Sequence, residues 1–225
     1  MKPRSYDMRR CDLATVAELV TAFHGYGSMG RSITYAFAVY ESGRPVAVYA
    51  WQPPPPGAAR AVCPECPAGV LALSRMAAVP RDARQLRHVS VPLRAQMRQE
   101  IDRGRWPVLL TYSDEGQGHT GHVYKCSGWE KTVSSIRPYF TDEAGNRASS
   151  YSNGRHGTRK LTRSGTTVIQ RWEHWACDRG AAAVHMEAAG WCREPVPGHV
   201  WKSGNQAYTW VKTDPVEAPR LFGEP

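Results

Sequence analysis

Two apolar segments joined by an amphipathic one constrain the fold of this chain most strongly. Residues 69–79 (GVLALSRMAAV) and 106–112 (WPVLLTY) are almost continuously apolar, which is typical of strands that are buried on both faces. Between them, a basic loop over 80–88 precedes a helical pattern from about 90 to 103. A strand, a helix and a strand in succession predict parallel strands joined by a right-handed crossover. The chain is therefore expected to be an α/β protein.

Other segments before and after this unit also have clear periods. The predicted elements are a helix over 12–24 with Asp12 as its N-cap, strands over 33–40 and 45–51 with a hairpin turn at 41–44, and a short helix over 119–127. The proline run 53–56 cannot pair in a sheet, so we expect a stiff surface loop over 52–69. Together these elements predict a mixed sheet flanked by helices.

The C-terminal part has weaker patterns. Residues 136–165 are rich in Gly, Ser, Asn and Arg and have little period, while residues 164–178 fit a helix or a strand equally well. Residues 200–211 resemble a closing hairpin. We predict a core over 1–135 and a basic C-terminal extension over 136–225 that packs on it.

The charge is high and unevenly distributed. The net charge is +9 and the pI about 9.4. Residues 147–171 contain six basic side chains and no acidic one, and residues 81–105 contain seven arginines against three acids. Such a balance favours a polyanionic partner or an anionic cofactor, although a basic surface that only keeps the protein in solution is an equal alternative.

The remaining composition favours an ordinary cytosolic protein. No apolar run approaches the ~18 residues that a membrane span needs, and the N-terminal residues lack a signal-peptide core. The six cysteines are scattered, and Cys63 and Cys66 alone have the spacing of a metal pair. Because a structural zinc needs four ligands, we expect reduced loop cysteines here rather than a zinc site.

Polar residues at the ends of the predicted strands are the first candidates for a site. Asp114 follows a buried strand, where a carboxylate either caps the next turn or accepts a hydrogen bond from a substrate amine. Arg75 lies within an apolar strand and must find a partner, so it either pairs with Asp114 or faces a cleft. Ser90 is either an N-cap or a ligand to a donor molecule.

Residues around the next helix form a second group of candidates. Tyr124 is either a core side chain or a proton donor, and His119 either caps the helix or holds a phosphate. The glycines at 116, 118 and 121 allow a ligand to approach the backbone, or serve turn geometry alone. His24, at the end of the first helix, is a structural residue, a base or a metal ligand.

The order of elements resembles the GCN5-related acetyltransferase fold. In that fold two parallel strands splay apart, and the pantetheine arm of an acyl-CoA donor enters the gap. The following helix usually opens with a glycine-rich pyrophosphate loop, whereas this chain has the sequence RQLRHVS over 84–90. The resemblance implies that the donor contacts are made by Arg84, Arg87, Ser90, Gly118, His119 and Gly121.

A more specific resemblance is to the Mom DNA-modification proteins of phages and prophages. Its motifs are His24 with Tyr26, LSR over 73–75, YSD over 112–114, QGHTG over 117–121, VYK over 123–125, GW over 128–129, GT over 157–158 and the stretch 202–210. The stretch 111–129 is the most specific part. In that family His and Tyr are usually adjacent, whereas Gly25 separates them here.

This resemblance implies an enzyme that adds a carbamoylmethyl group to the N6 amine of adenine in double-stranded DNA and protects the DNA from restriction. The implied catalytic residues are His24, Tyr26, Arg75, Asp114 and Tyr124, and the implied phosphate contacts are Arg155, Arg159, Lys160 and Arg163. The base would be flipped out of the duplex and stacked on Tyr26, Tyr112 or Trp129. The implied donor is acetyl-CoA followed by rearrangement, or an activated glycine such as glycyl-tRNA.

Two functions of other classes remain open. An N-acetyltransferase that acts on a small molecule or a protein would keep Tyr124 but would not need the basic tract. A nucleic-acid-binding protein without enzymatic activity would need neither Asp114 nor Tyr124.

Overall fold

The computed structural model describes residues 7–24, 32–80, 87–143, 145, 147–148, 161–200 and 206–213. The chain divides into two compact units. The first comprises residues 1–54, 71–101 and 109–174, and the second comprises residues 55–70, 102–108 and 175–225. Within the described part of the chain, no helix has the length and apolar character that a membrane crossing requires.

An eight-stranded sheet forms the first unit. Its strands are β1 (Asp7–Arg10), β2 (Tyr35–Glu41), β3 (Arg44–Gln52), β4 (Val70–Ala78), β5 (Val108–Asp114), β6 (Glu130–Thr141), β7 (Arg147–Ala148) and β8 (Thr162–Trp175), in the order β1-β2-β3-β4-β5-β8-β6-β7. The pairs β1–β2, β2–β3, β3–β4, β6–β7 and β6–β8 are antiparallel. A helical connection joins β4 to β5, so the predicted α/β architecture is confirmed.

The predicted hairpin is confirmed as β2 and β3. Its two turn residues, Ser42 and Gly43, have φ angles of 49° and 76°, the left-handed conformation of a type I′ turn. On the other side of β3, Ala50 pairs with Arg75 and Trp51 with Leu73, so Ser74 forms a bulge in β4.

Helix α1 (Leu13–Phe23) covers one side of the sheet. Asp12 caps it as predicted, because its carboxylate accepts a hydrogen bond of 2.8 Å from the backbone N–H of Thr15. The buried helix residues Val16, Leu19 and Val20 pack against strand residues Ala38, Val48, Ala50 and Ala77. The helix ends at His24, which is thereby placed at the edge of this core.

The opposite side of the sheet carries α3 (Arg87–Ala95), a following π-helical turn (Gln96–Glu100) and α4 (His122–Cys126). Tyr49 Oη donates to Val89 O at 2.8 Å, and Trp51 Nε1 donates to Gln96 Oε1 at 3.0 Å. Helix α3 begins at Arg87, three residues before the start expected from the sequence, at about residue 90. Ser90 is therefore inside the helix and is not its N-cap, which is a correction to one of its two interpretations.

The second unit contains α2 (Pro56–Val62), a 3₁₀ turn (Pro67–Gly69), α5 (Ala182–Ala188) and the antiparallel hairpin β9 (Trp191–Val200) and β10 (Gln206–Lys212). The hairpin was expected over 200–211, a range that includes the last residue of β9 and most of β10. The expected surface loop over 52–69 is wrong in part. Proline is excluded from sheet interiors but favoured in the first turn of a helix, and α2 starts at Pro56.

The cysteine pair in this unit is buried rather than on a surface loop. Cys63 Sγ donates to Glu65 Oε1 at 3.1 Å, and Cys66 Sγ donates to Met186 Sδ at 3.5 Å. Burial raises the pKa of both thiols, so both remain protonated at neutral pH.

Candidate active site

Asp114 is the last residue of β5, and its buried carboxylate holds the turn that follows. Oδ1 accepts a hydrogen bond of 3.0 Å from the backbone N–H of Gly116 and a second one from the hydroxyl of Thr167 on β8. The backbone carbonyl of Asp114 accepts from the N–H of His119 at 3.1 Å. The capping role that the sequence allowed for Asp114 is thus confirmed, and the carboxylate is fixed at the end of a strand.

Strand β8 supports the same turn from the neighbouring position in the sheet. Gln170 Nε2 donates to Glu115 Oε1, Ser113 Oγ donates to Gln170 Oε1 at 3.4 Å, and Trp172 Nε1 donates to Ser113 Oγ at 2.9 Å. The sequence left residues 164–178 undecided between helix and strand, so Thr167, Gln170 and Trp172 were not among its candidates.

The alternation of side chains places the candidates on two sides of the sheet. Arg75 lies opposite Ala50 and therefore on the side that α1 covers, whereas the adjacent Trp51 lies on the side of α3. Ser113 contacts Trp172, which belongs to the aromatic cluster on the α3 side, so Asp114 shares the α1 side with Arg75.

Three predicted basic residues come together on the α1 side. Burial, with the nearby Arg75 and His119 acting in the same direction, lowers the pKa of His24 to about 4. Arg75 Nη1 donates to Ser74 O, within the bulge of β4, at 2.6 Å. His24 is therefore neutral at pH 7. A neutral imidazole can accept a hydrogen bond or bind a metal, but with this pKa it is a weak base.

Tyr124 occupies the opposite side, in α4. Its ring lies 5.9 Å from that of Trp129 and 5.8 Å from that of Trp172, between centroids. Burial raises the pKa of its phenol, and a hydrogen bond with the Thr111 side chain partly opposes the shift. The Thr111 hydroxyl donates to Leu73 O at 3.0 Å, so the phenol reaches the boundary between β4 and β5.

A model of the Mom protein family matches residues 5–186. The chain belongs to the Mom protein family. The matched segment includes His24, Arg75, Asp114 and Tyr124, the residues that the sheet brings to the two sides of β4 and β5. No similar protein was found among curated sequences.

Solved structures similar to this Mom family member include three acetyltransferases. The ribosomal-protein-S18-alanine N-acetyltransferase from Escherichia coli is 12% identical, with a TM-score of 0.44, over 78% of this chain and 98% of that one. The protein yncA from Salmonella typhimurium, solved with acetyl-CoA, is 9% identical with a TM-score of 0.47, over 79% and 98%. A Bacillus subtilis acetyltransferase in complex with CoA is 7% identical with a TM-score of 0.42, over 74% and 97%.

Other predicted residues of this Mom family chain have different environments. Trp129 is buried and stacks on Trp51 at a centroid distance of 6.2 Å, so it cannot stack on a flipped base. Ser90 is buried, and its backbone carbonyl accepts from Ser127 Oγ at 3.0 Å. His119 precedes α4 by three residues and does not start it. Tyr112, by contrast, is 44% exposed.

Gly118 and Gly121, in the turn after β5, differ in the reason why glycine is required. Gly118 and Gly121 both have positive φ, at 74° and 73°, but a Cβ on Gly118 would meet open space. A Cβ on Gly121 would lie 2.6 Å from Cε2 of Trp172 and closer still to Cζ2. The close approach of Trp172 thus explains the glycine at position 121, while the donor contact expected there stays a prediction.

Several predictions fall outside the described residues. These are Tyr26, Arg84, Arg155, Arg159 and Lys160, together with the side chain of Arg87, at which α3 begins. Arg163 is described and is exposed on β8. Among the described residues, no group of three or more His, Cys, Asp or Glu side chains is placed to hold a metal ion.

Proposed function

We propose that this chain is a transferase that modifies the N6 amine of adenine in DNA with a carbamoylmethyl group and so protects the DNA from restriction. One observation supports it most: Asp114 with its basic neighbours lies on one side of β4 and β5, and the phenol of Tyr124 reaches the same strands from the other side. A transfer reaction needs the acceptor and the donor to meet at one point, and a substrate at the carboxyl end of β5 would lie next to Asp114 and close to the strands that the phenol reaches.

The α1 side suits the acceptor amine. The amine of adenine is conjugated and a poor nucleophile, so a carboxylate that takes up its proton would favour bond formation. Gly116 and Thr167 both donate to one oxygen of Asp114. The carboxylate is therefore already oriented before the reaction and need not rotate during it. Arg75 supplies positive charge nearby, which suits the phosphate of a flipped nucleotide.

The α3 side suits the donor. An activated glycyl ester such as glycyl-tRNA would supply both carbons and the nitrogen: N6 bonds to the glycyl carbonyl, the ester C–O bond breaks, and the N6-glycyl product is an isomer of carbamoylmethyl-adenine that must then rearrange. Acetyl-CoA carries no nitrogen, so with this donor the rearrangement would also need a separate amine. Because its pKa is raised, Tyr124 holds its proton on Oη at neutral pH. A phenol and a thiol have ordinary pKa values of about 10 and 8.5. Burial of Tyr124 widens this gap, so the phenol would protonate the thiolate as the thiolate departs and would not ionise beforehand.

The partner is double-stranded DNA. The net charge of +9 favours a polyanion, and the exposed Arg163 together with the basic tract around it would contact phosphates. The target amine is inaccessible inside a duplex, so the base must leave the stack at a cost of a few kcal/mol.

Mass spectrometry of nucleosides tests this proposal. We expect DNA from cells that express the chain to contain carbamoylmethyl-adenine, and DNA from cells that express Asp114→Asn to lack it. Asparagine keeps the oxygen that accepts from Gly116 and Thr167 but removes the charge, so the turn should persist. Asp7→Asn, on exposed β1, is the matched control. Unmodified adenine in DNA from cells with well-folded wild-type protein would contradict the proposal, as would acetylated protein or small molecules as the only products.

A further inference from the structure

One exposed part of the sheet is unexplained by the site itself. It continues from Asp114 along the α1 side of β5, β8 and β6 and consists of Tyr112, Val133, Arg137, Ile169 and Arg171, here called the Tyr112 surface. Tyr112 is 44% exposed and Val133 41%. An aromatic ring and apolar side chains that face solvent beside arginines are not explained by core packing.

The pairing of the strands shows that these side chains share one side of the sheet. Thr167 bonds to Asp114, and its partner in β6 is Arg137. Arg171 pairs with Val133, four residues further along β8, in a stretch without register shifts. Tyr112 is two residues before Asp114 in β5 and so points the same way.

Electrostatic interactions confirm that the groups lie close together. Partial burial raises the pKa of Tyr112. The positive charges of Arg171 and Arg137 oppose this shift, and the negative charge of Glu173 adds to it. Tyr112 is therefore an uncharged ring at neutral pH. A neutral phenol beside two arginines can stack on a base without repelling a phosphate.

The charges of the surface are ordered along its length. At one end, the buried Glu173 accepts from Arg171 Nε at 2.9 Å and from Thr132 Oγ1 at 2.8 Å, which fixes the guanidinium, and Glu130 lies opposite it. At the other end, next to Thr167 and Asp114, Arg137 is exposed and donates to Ser135 Oγ at 3.3 Å. The exposed positive charge thus lies beside the candidate active site.

We propose that the Tyr112 surface binds single-stranded DNA, with the nucleotide next to the target base stacked on Tyr112 and its phosphate held by Arg137. A ring that alternates with cations along a sheet is the general means of holding unpaired nucleotides without reading their sequence. This inference rests on the proposed function, because a flipped adenine exposes one face of the neighbouring base at the end of β5.

Fluorescence anisotropy of DNA binding, measured without a donor of the transferred group, tests the Tyr112 surface independently of the reaction. The probe is a fluorescein-labelled single-stranded DNA of about 12 nucleotides, thymidines with one central adenine, a length within the site sizes of single-strand-binding folds. We expect Tyr112→Ala to weaken binding by about tenfold and Tyr112→Phe to leave it nearly unchanged, since the ring rather than the hydroxyl stacks. Arg137→Gln should weaken binding and reduce the slope of log K against log salt by about 0.7.

Tyr208 provides a matched control. It is 48% exposed on β10, and Cζ of Arg193 lies 4.0 Å from its ring centre, so it is another exposed tyrosine beside an arginine. Tyr208→Ala should bind the probe like the wild type. Equal affinity of Tyr112→Ala and wild type, or an equal loss in Tyr208→Ala, would overturn the inference.

The two proposals fail in distinguishable ways. If Tyr112 is needed for probe binding but nucleosides from cellular DNA are unmodified, the surface stands and the proposed reaction fails. If adenine is modified at an undiminished rate by Tyr112→Ala, the reaction stands and the surface fails. Thermal unfolding of Tyr112→Ala, compared with that of Tyr112→Phe and the wild type, distinguishes a loss of binding from a loss of the fold.

Discussion

The contact between Gly121 and Trp172 gives a prediction with a built-in control. Gly118 and Gly121 have almost the same positive φ, so replacement by alanine imposes the same backbone strain, about 1–2 kcal/mol, at both positions. At Gly121 the new Cβ would also lie 2.6 Å from Cε2 of Trp172, and such overpacking costs about 1–3 kcal/mol more. We expect Gly121→Ala to lower the free energy of unfolding by about 2–5 kcal/mol and Gly118→Ala by about 1–2.

Urea denaturation of the two variants measures this difference. Since a domain is stable by about 5–15 kcal/mol, Gly121→Ala should shift the midpoint far to lower urea, at an unchanged m-value. Trp172→Phe removes the atoms that clash and should recover part of the loss in a double variant. Equal losses at Gly118 and Gly121 would refute the contact. That result would also put the position of the Trp172 ring in question, and with it the contact between the rings of Trp172 and Tyr124.

Three further predictions concern protonation and buried groups. The pKa of His24 is lowered to about 4, so between pH 4 and 6.5 the unfolded chain binds more protons than the folded chain. The free energy of unfolding should therefore fall as the pH drops through this window. Urea titrations at several pH values would measure this profile, and His24→Gln should flatten it between pH 4 and 6.5. Ser113→Ala leaves the buried Trp172 Nε1 without its acceptor and should lower the free energy of unfolding by about 1–3 kcal/mol, which chemical denaturation would detect. Iodoacetamide should alkylate the exposed Cys126 and Cys192 first and the buried Cys63 and Cys66 only in denaturant, and fast labelling of the native pair, seen by peptide mass spectrometry, would contradict their environment.

The elements predicted correctly from the sequence are those with local causes. The cap at Asp12, the turn at Ser42 and Gly43, and the apolar run of β4 each depend on residues that are neighbours along the chain. The candidates Asp114 and Tyr124 likewise lie within one short stretch, and their catalytic roles stay predictions.

The elements that were missed depend on distant contacts. Thr167 and Trp172 are 53 and 59 residues from their partners Asp114 and Ser113, and nothing in the local pattern of β8 indicates that pairing. A helix after a proline run was overlooked because the same residues also suit a loop. The burial of Trp129 follows from stacking on Trp51, which no spacing along the chain could show.

The central claim is that Asp114 and Tyr124 serve one transfer from opposite sides of the sheet. The amount of carbamoylmethyl-adenine in cellular DNA tests it most directly, compared among the wild type, Asp114→Asn, Tyr124→Phe and the double variant at equal protein levels. We predict that each single change lowers the yield by about 10²-fold or more, and that the double change lowers it by little more than the larger single one. Full modification of adenine by either single variant would contradict the account.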